Sequence, residues 1–145
     1  MIGGTDVFSK EKNKSQGFFN GEKTAYWNMN VLAPAGGIKC NGKEMLTYLQ
    51  YMAKPTDADN KKIIDNILTP TVALNPKMNV CKAWHTFEQP GKPTIYWHNG
   101  GTFGFSTFAA IIKGEEKAVM IVINKFSENK IADGLGVAIM KLLNQ

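Results

Sequence analysis

Two apolar stretches near the C-terminus restrict the possible folds most sharply. Phe105-Ser106-Thr107-Phe108-Ala109-Ala110-Ile111-Ile112 and Lys117-Ala118-Val119-Met120-Ile121-Val122-Ile123-Asn124 are separated only by Lys113-Gly114-Glu115-Glu116. Each has the length and the β-branched or aromatic content of a strand, and the charged, glycine-containing link is a turn. Successive strand side chains point to opposite faces, and here apolar residues fill both alternations. Such a hairpin is stable only if both faces are covered.

Strand signals continue upstream. Residues 79–88 are rich in aromatic and β-type side chains (Val80, Trp84, Thr86, Phe87), and Gln89-Pro90-Gly91-Lys92 is a turn. Thr94-Ile95-Tyr96-Trp97-His98 is a further strand, followed by a glycine-rich turn, Gly100-Gly101-Thr102-Phe103-Gly104. The expectation is an antiparallel meander of about four strands. Helices supply the cover. Ser127 is a plausible N-cap for a last helix, in which Ile131, Leu135, Ala138, Ile139 and Leu142 form a stripe meant for one sheet face. Earlier, Asn41 and Glu44 form a capping-box pair ahead of Met45, Tyr48, Leu49 and Met52, with Pro55 as the stop. A second helix begins near Thr56 or Asp57, carries Ile63, Ile64, Ile67 and Leu68, and ends before Pro70.

The 145 residues therefore read as one α+β domain: a loop and hairpin lead-in over 1–32, a helical segment over 33–70, and the sheet with its C-terminal helix over 79–145. In the lead-in, residues 9–17 are a polar loop, and Phe18-Phe19, Asn20-Gly21 and Lys23-Thr24-Ala25-Tyr26-Trp27 predict a short hairpin. Ala33-Pro34-Ala35-Gly36-Gly37 is a tight, backbone-dominated segment.

Composition removes several function classes. The net charge is +5, but all 17 Lys+Arg residues are lysines, and they are scattered. Without Arg, which reads guanine edges and grips phosphate bidentately, no nucleic-acid partner is expected. The longest apolar run, Ala118–Ile123, is far too short for a membrane span, and Met1-Ile2-Gly3-Gly4 opens no signal-peptide pattern. Cys40 and Cys81 match no zinc spacing and are expected as free thiols, mostly buried; a Cys40–Cys81 disulfide is the minor alternative. His85 and His98 lack carboxylate or thiolate partners at ligand spacing, so neither metal nor cofactor is expected. The glycine-rich turn has no following G-K-[ST] and is no phosphate loop.

The chemically informative stretch is Tyr96-Trp97-His98-Asn99-Gly100-Gly101-Thr102-Phe103-Gly104-Phe105. Its His98-Asn99-Gly100 resembles the third active-site motif of serine β-lactamases and penicillin-binding-protein-type peptidases, written K-T-G or H-x-G. Pro34-Ala35-Gly36-Gly37-Ile38 resembles a P-A-G-G-L segment of that family, Asn124-Lys125-Phe126 resembles the end of its following strand, and Gly4-Thr5-Asp6-Val7-Phe8 with Gly17-Phe18 resembles an earlier stretch more weakly. The departures are equally plain. The family's nucleophile lies in S-x-x-K, where the lysine eases deprotonation of the serine. Ser9-Lys10-Glu11-Lys12 has those letters but sits in a charged loop, and Tyr26-Trp27-Asn28 spells the second motif, Y-x-N, directly before Pro34 and not where that motif belongs.

The resemblance implies the C-terminal part of such a hydrolase, with the nucleophile on an N-terminal catalytic segment. His98 would end its strand at the cleft and bind a substrate carboxylate or assist proton movement. Asn99, Gly100 and Thr102 would contribute to substrate binding, Gly100 by letting a substrate backbone approach without a Cβ in the way, while strand alternation leaves open that Asn99 faces away from the cleft. The backbone N–H of Gly101 would be one of two oxyanion-hole donors. The implied substrates are β-lactams, peptidoglycan-type D-Ala peptides or related esters, and the implied compartment of the parent is extracytoplasmic. The isolated chain would be inactive. A non-catalytic module binding peptide or cell wall is the alternative, and an incomplete sheet with an unpaired edge allows a homodimer.

Overall fold

The computed structural model describes residues 12–145 as a mixed α+β fold built on an antiparallel sheet. Gly4–Phe8 and three of the four letters at Ser9–Lys12 lie outside the described residues. A small hairpin comes first: β1 (Gly17–Phe19) and β2 (Glu22–Thr24), joined through Asn20 (φ 49°) and Gly21 (φ 83°). Positive φ at both central positions is what a two-residue hairpin turn requires, and Asn-Gly supplies it at low cost. The Pro34 segment is a single helical turn, α1 (Ala33–Gly36).

Two capped helices follow. In α2 (Gly42–Ala53) the expected capping box is complete: the Glu44 amide donates to the Asn41 side chain at 3.0 Å, and the Asn41 amide donates to the Glu44 carboxylate at 3.1 Å. In α3 (Ala58–Ile67) Asp57 is the N-cap, accepting from the Asn60 amide at 2.8 Å. Hydrogen bonds from the Asn60 side chain, the Tyr51 hydroxyl and the Asn60 amide hold the Asp57 carboxyl down at a pKa of about 2.

The main sheet has six strands in sequence order: β3 (Val72–Asn75), β4 (Met78–Val80), β5 (His85–Phe87), β6 (Ile95–Thr102), β7 (Phe105–Ile112) and β8 (Lys117–Ile123). The meander is as expected; about four strands is an underestimate, for two reasons. The stretch 79–88 divides into two strands because Ala83 adopts φ 63° and the Cys81 amide donates to the Trp84 carbonyl at 2.7 Å, reversing the chain. The extra edge strand β3 is exposed along its whole length and shows no burial pattern.

Two cores lie on the two faces of the sheet. On one, Leu49, Met52, Ala53, Ile64 and Leu68 from the helical segment pack on Cys81, Trp84 and Ile111. On the other, Ala132 and Met140 from the last helix, α4 (Asn129–Leu143), pack on Ile95, Phe108, Ala110, Ile112 and Val119. Strand β7 feeds both, with Ile111 on one side and Phe108, Ala110 and Ile112 on the other. The expected double cover is therefore present.

The orientation of α4 corrects the sequence expectation. Its buried residues are Ala132, Gly136 and Met140, whereas Ile131, Leu135, Ala138, Ile139 and Leu142 are exposed. Small residues face the sheet because a Cβ at Gly136 would overlap the Phe108 ring. Ser127 is not the N-cap either: it has φ 66°, and the capping position is Glu128, without a side-chain cap bond. Both cysteines are free thiols, Cys81 buried and Cys40 half-buried. Burial, with Glu88 nearby, raises the Cys81 pKa.

Candidate active-site face

Strand β6 does not end at His98. It runs to Thr102, with His98 opposite Ala109, Asn99 opposite Phe108, Gly100 opposite Thr107, Gly101 opposite Ser106 and Thr102 opposite Phe105. The turn shrinks to Phe103 and Gly104, the latter at φ 90°. Glycine weakens a strand interior, which is why Gly100 and Gly101 read as a turn in the sequence. The structure gives each a packing reason. A Cβ on Gly100 would come within 2.9 Å of the Thr107 hydroxyl oxygen, and one on Gly101 would press on the Asn129 side chain at 3.3 Å.

Strand alternation sorts the motif. Tyr96, His98, Gly100 and Thr102 share the face carrying α2, while Trp97, Asn99 and Gly101 share the face carrying α4. On the first face Tyr96, Ala109, Ala118 and Met120 pack into the core, but His98 and Val122 beyond them are exposed. Among the described residues the helical cover stops short of His98, which is exposed. Beside it, β5 pairs only with Ile95–Trp97, so among the described residues no strand lies along the outer edge of His98–Thr102.

The His98 ring stacks on the His85 ring at 5.8 Å between centroids, and His85 stacks in turn on Trp97 at 4.8 Å. The His85 Nδ1 is buried without a hydrogen-bond partner among the described residues. Its exposed neighbour was visible in the sequence, its contact with that neighbour was not, because the two lie on different strands.

Asn99, expected at the substrate, is turned away. Its amide donates to Asp133 Oδ2 on α4 at 2.8 Å. The Gly100 carbonyl accepts from the Asn129 side-chain Nδ2 at 2.8 Å and the Thr107 hydroxyl at 3.3 Å. Ser106 faces α4, is buried, and donates to the Lys125 carbonyl at 2.9 Å. Thr102 remains on the side of His98, half-buried, and Gly101 is exposed. Tyr26 of the Tyr26-Trp27-Asn28 triplet stacks on Phe105 at 5.7 Å, next to the turn. Among the described residues no group of three or more His, Cys, Asp or Glu is placed to share a metal ion, and no helix is long and apolar enough to cross a membrane. Scans against protein-family models and against curated proteins find no match to this chain.

Proposed function

We propose that the chain supplies one wall of an acyl-hydrolase cleft of the serine β-lactamase and penicillin-binding-protein type, within a partial version of that fold. The observation that carries this is the exposed His98 imidazole, stacked on His85, beside a glycine-lined strand whose outer edge is open among the described residues. An imidazole so placed can bind a carboxylate or relay a proton. Gly100 leaves room for a substrate backbone, and the Gly101 amide serves as one oxyanion donor. Removing one such donor typically costs a factor of about 100 to 1,000 in rate. The nucleophile and the second donor come from an N-terminal catalytic segment, so the chain alone binds without turnover. Asn99 has no contact with substrate in this scheme, because Asp133 holds it on the other face.

A second reading, recognition of a peptide or cell-wall ligand without catalysis, draws on the two β7 hydroxyls next to the glycines, both of which are already engaged. Ser106 is buried and Thr107 is bonded to the Gly100 carbonyl. Two measurements test these readings. Incubation of the chain with a fluorescent penicillin should leave no covalent adduct; stoichiometric labelling would overturn the requirement for a separate nucleophile. In an NMR titration with a D-Ala-D-Ala peptide, shifts should cluster at His98–Thr102 and weaken in His98→Ala. An unperturbed spectrum at millimolar peptide would remove both readings.

A further inference from the structure

We propose that Asn20-Gly21 is a site of spontaneous deamidation, and that its isoaspartyl product loosens the hairpin seated on the β6–β7 turn. The sequence holds three Asn-Gly pairs: Asn20-Gly21, Asn41-Gly42 and Asn99-Gly100. In such a pair the glycine amide nitrogen, once hydroxide has taken its proton, attacks the asparagine Cγ. A bond forms between that nitrogen and Cγ, the Cγ–Nδ2 bond breaks, and Nδ2 leaves as ammonia. Water then opens the cyclic imide. Cleavage between the nitrogen and Cγ gives aspartate. Cleavage between the nitrogen and the main-chain carbonyl carbon gives isoaspartate, whose backbone runs through Cβ and Cγ. Glycine favours the first step because no Cβ hinders the approach.

The fold separates the three pairs. The Asn99 amide is held by Asp133 at 2.8 Å, and Gly100 lies inside the β6–β7 ladder opposite Thr107. Asn41 is exposed, but its side chain accepts from the Glu44 amide at 3.0 Å and its own amide donates to Glu44 at 3.1 Å, so its rotation breaks the cap of α2. Asn20 and Gly21 are both exposed at a hairpin tip, outside a ladder whose last pair is Phe19 with Glu22. Among the described residues no hydrogen bond holds the Asn20 side chain, and nothing lies within 4 Å of where a Gly21 Cβ would stand. Exposed loop tips of small and polar residues are where a backbone rearranges at least cost.

The two products differ in effect. Aspartate tolerates the left-handed conformation of Asn20, so it keeps the turn. Isoaspartate lengthens the backbone of a two-residue turn that closes only with positive φ at both positions. The hairpin it would open is tied to the rest of the molecule. The Phe18 amide donates to the carbonyls of Asn124 at 3.1 Å and Gly104 at 3.3 Å, and the Phe126 amide donates to the Phe18 carbonyl at 2.8 Å. Gly104 sits so close that a Cβ there would overlap the Thr24 hydroxyl and the Gly17 backbone. The hairpin is thus the seat of the Phe103–Gly104 turn that ends β6.

Trypsin, which cuts after lysine but not before proline, puts the three pairs in separate peptides, 15–23, 40–43 and 83–113. After incubation of the folded chain at mildly alkaline pH, mass spectrometry should find aspartyl and isoaspartyl forms of 15–23, with the amides of the other two retained. In guanidinium chloride all three should convert at comparable rates. Equal conversion in the folded chain, faster conversion at 40–43 or 83–113, or none at 15–23 overturns the site. Asn20→Gly keeps the turn and should abolish the change in 15–23. Hydrogen exchange tests the consequence: the Phe18 and Phe126 amides should lose protection in the purified isoaspartyl form and keep it in Asn20→Asp, which carries the new charge on an ordinary backbone. Protection unchanged in the isoaspartyl form, or lost equally in Asn20→Asp, overturns the loosening. None of these outcomes depends on a hydrolytic role.

Discussion

Gly136 sets how near α4 comes to the sheet. A Cβ there would overlap the Phe108 ring, and Phe108 is among the most deeply buried side chains. Ala is the better helix former by up to about 1 kcal/mol, so on an open surface Gly136→Ala would stabilise. Here packing opposes propensity, and the helix must lift or the ring must rotate off its minimum. Overpacking of this kind typically costs about 1–3 kcal/mol, enough to outweigh the propensity gain. Urea denaturation of Gly136→Ala should therefore show a net loss of stability. Gly134, with nothing near its absent Cβ, is the control: Gly134→Ala should be neutral or stabilising.

The same glycine explains the largest discrepancy at the scale of elements. Periodicity marks α4 and its apolar stripe, and the stripe is the side a sequence sends inward. The helix turns Ala132, Gly136 and Met140 inward because only small or flexible side chains fit over Phe108. Leu and Ile are more hydrophobic than Ala and Gly, so an apolar stripe marks the wrong side of a helix whenever close approach sets the packing. Capping was legible because it is local: Asn41 with Glu44, and Asp57, act within four residues. What ties α4 to β6 is not local. Asn99 reaches Asp133 across 34 positions of sequence, and Asp133 Oδ1 is buried with no further partner among the described residues. Asn99→Ala would strand a part-buried carboxylate, and a hydrogen bond to a charged group is worth about 1.5–3 kcal/mol. The loss should be of that size in chemical denaturation. A double-mutant cycle with Asp133→Ala should return a clear coupling energy; additive losses would mean the bond contributes little.

Across the whole molecule, the need to cover both faces was readable from Phe105–Ile123, and so was the α+β layering that follows from it. The candidate site was legible only as letters. His98-Asn99-Gly100 gives the side chains, but the sorting of His98 and Asn99 onto opposite faces depends on a strand continuing through glycines that resemble a turn. The double cover also has a thermodynamic consequence. Both cores draw on β7, so neither can melt while that strand stays paired and packed. Trp84 reports one core, and Trp97 packs against the other. Replacing Trp27 and one of these by Phe leaves a single reporter for each face. Within each variant the fluorescence midpoint in urea should coincide with the far-ultraviolet circular dichroism midpoint. Ile111→Val, buried on the Trp84 side, should cost about 0.5–1.5 kcal/mol and displace the Trp97 transition as much as the Trp84 transition. A shift confined to Trp84 would show that the faces unfold separately, and that β7 transmits no cooperativity between them.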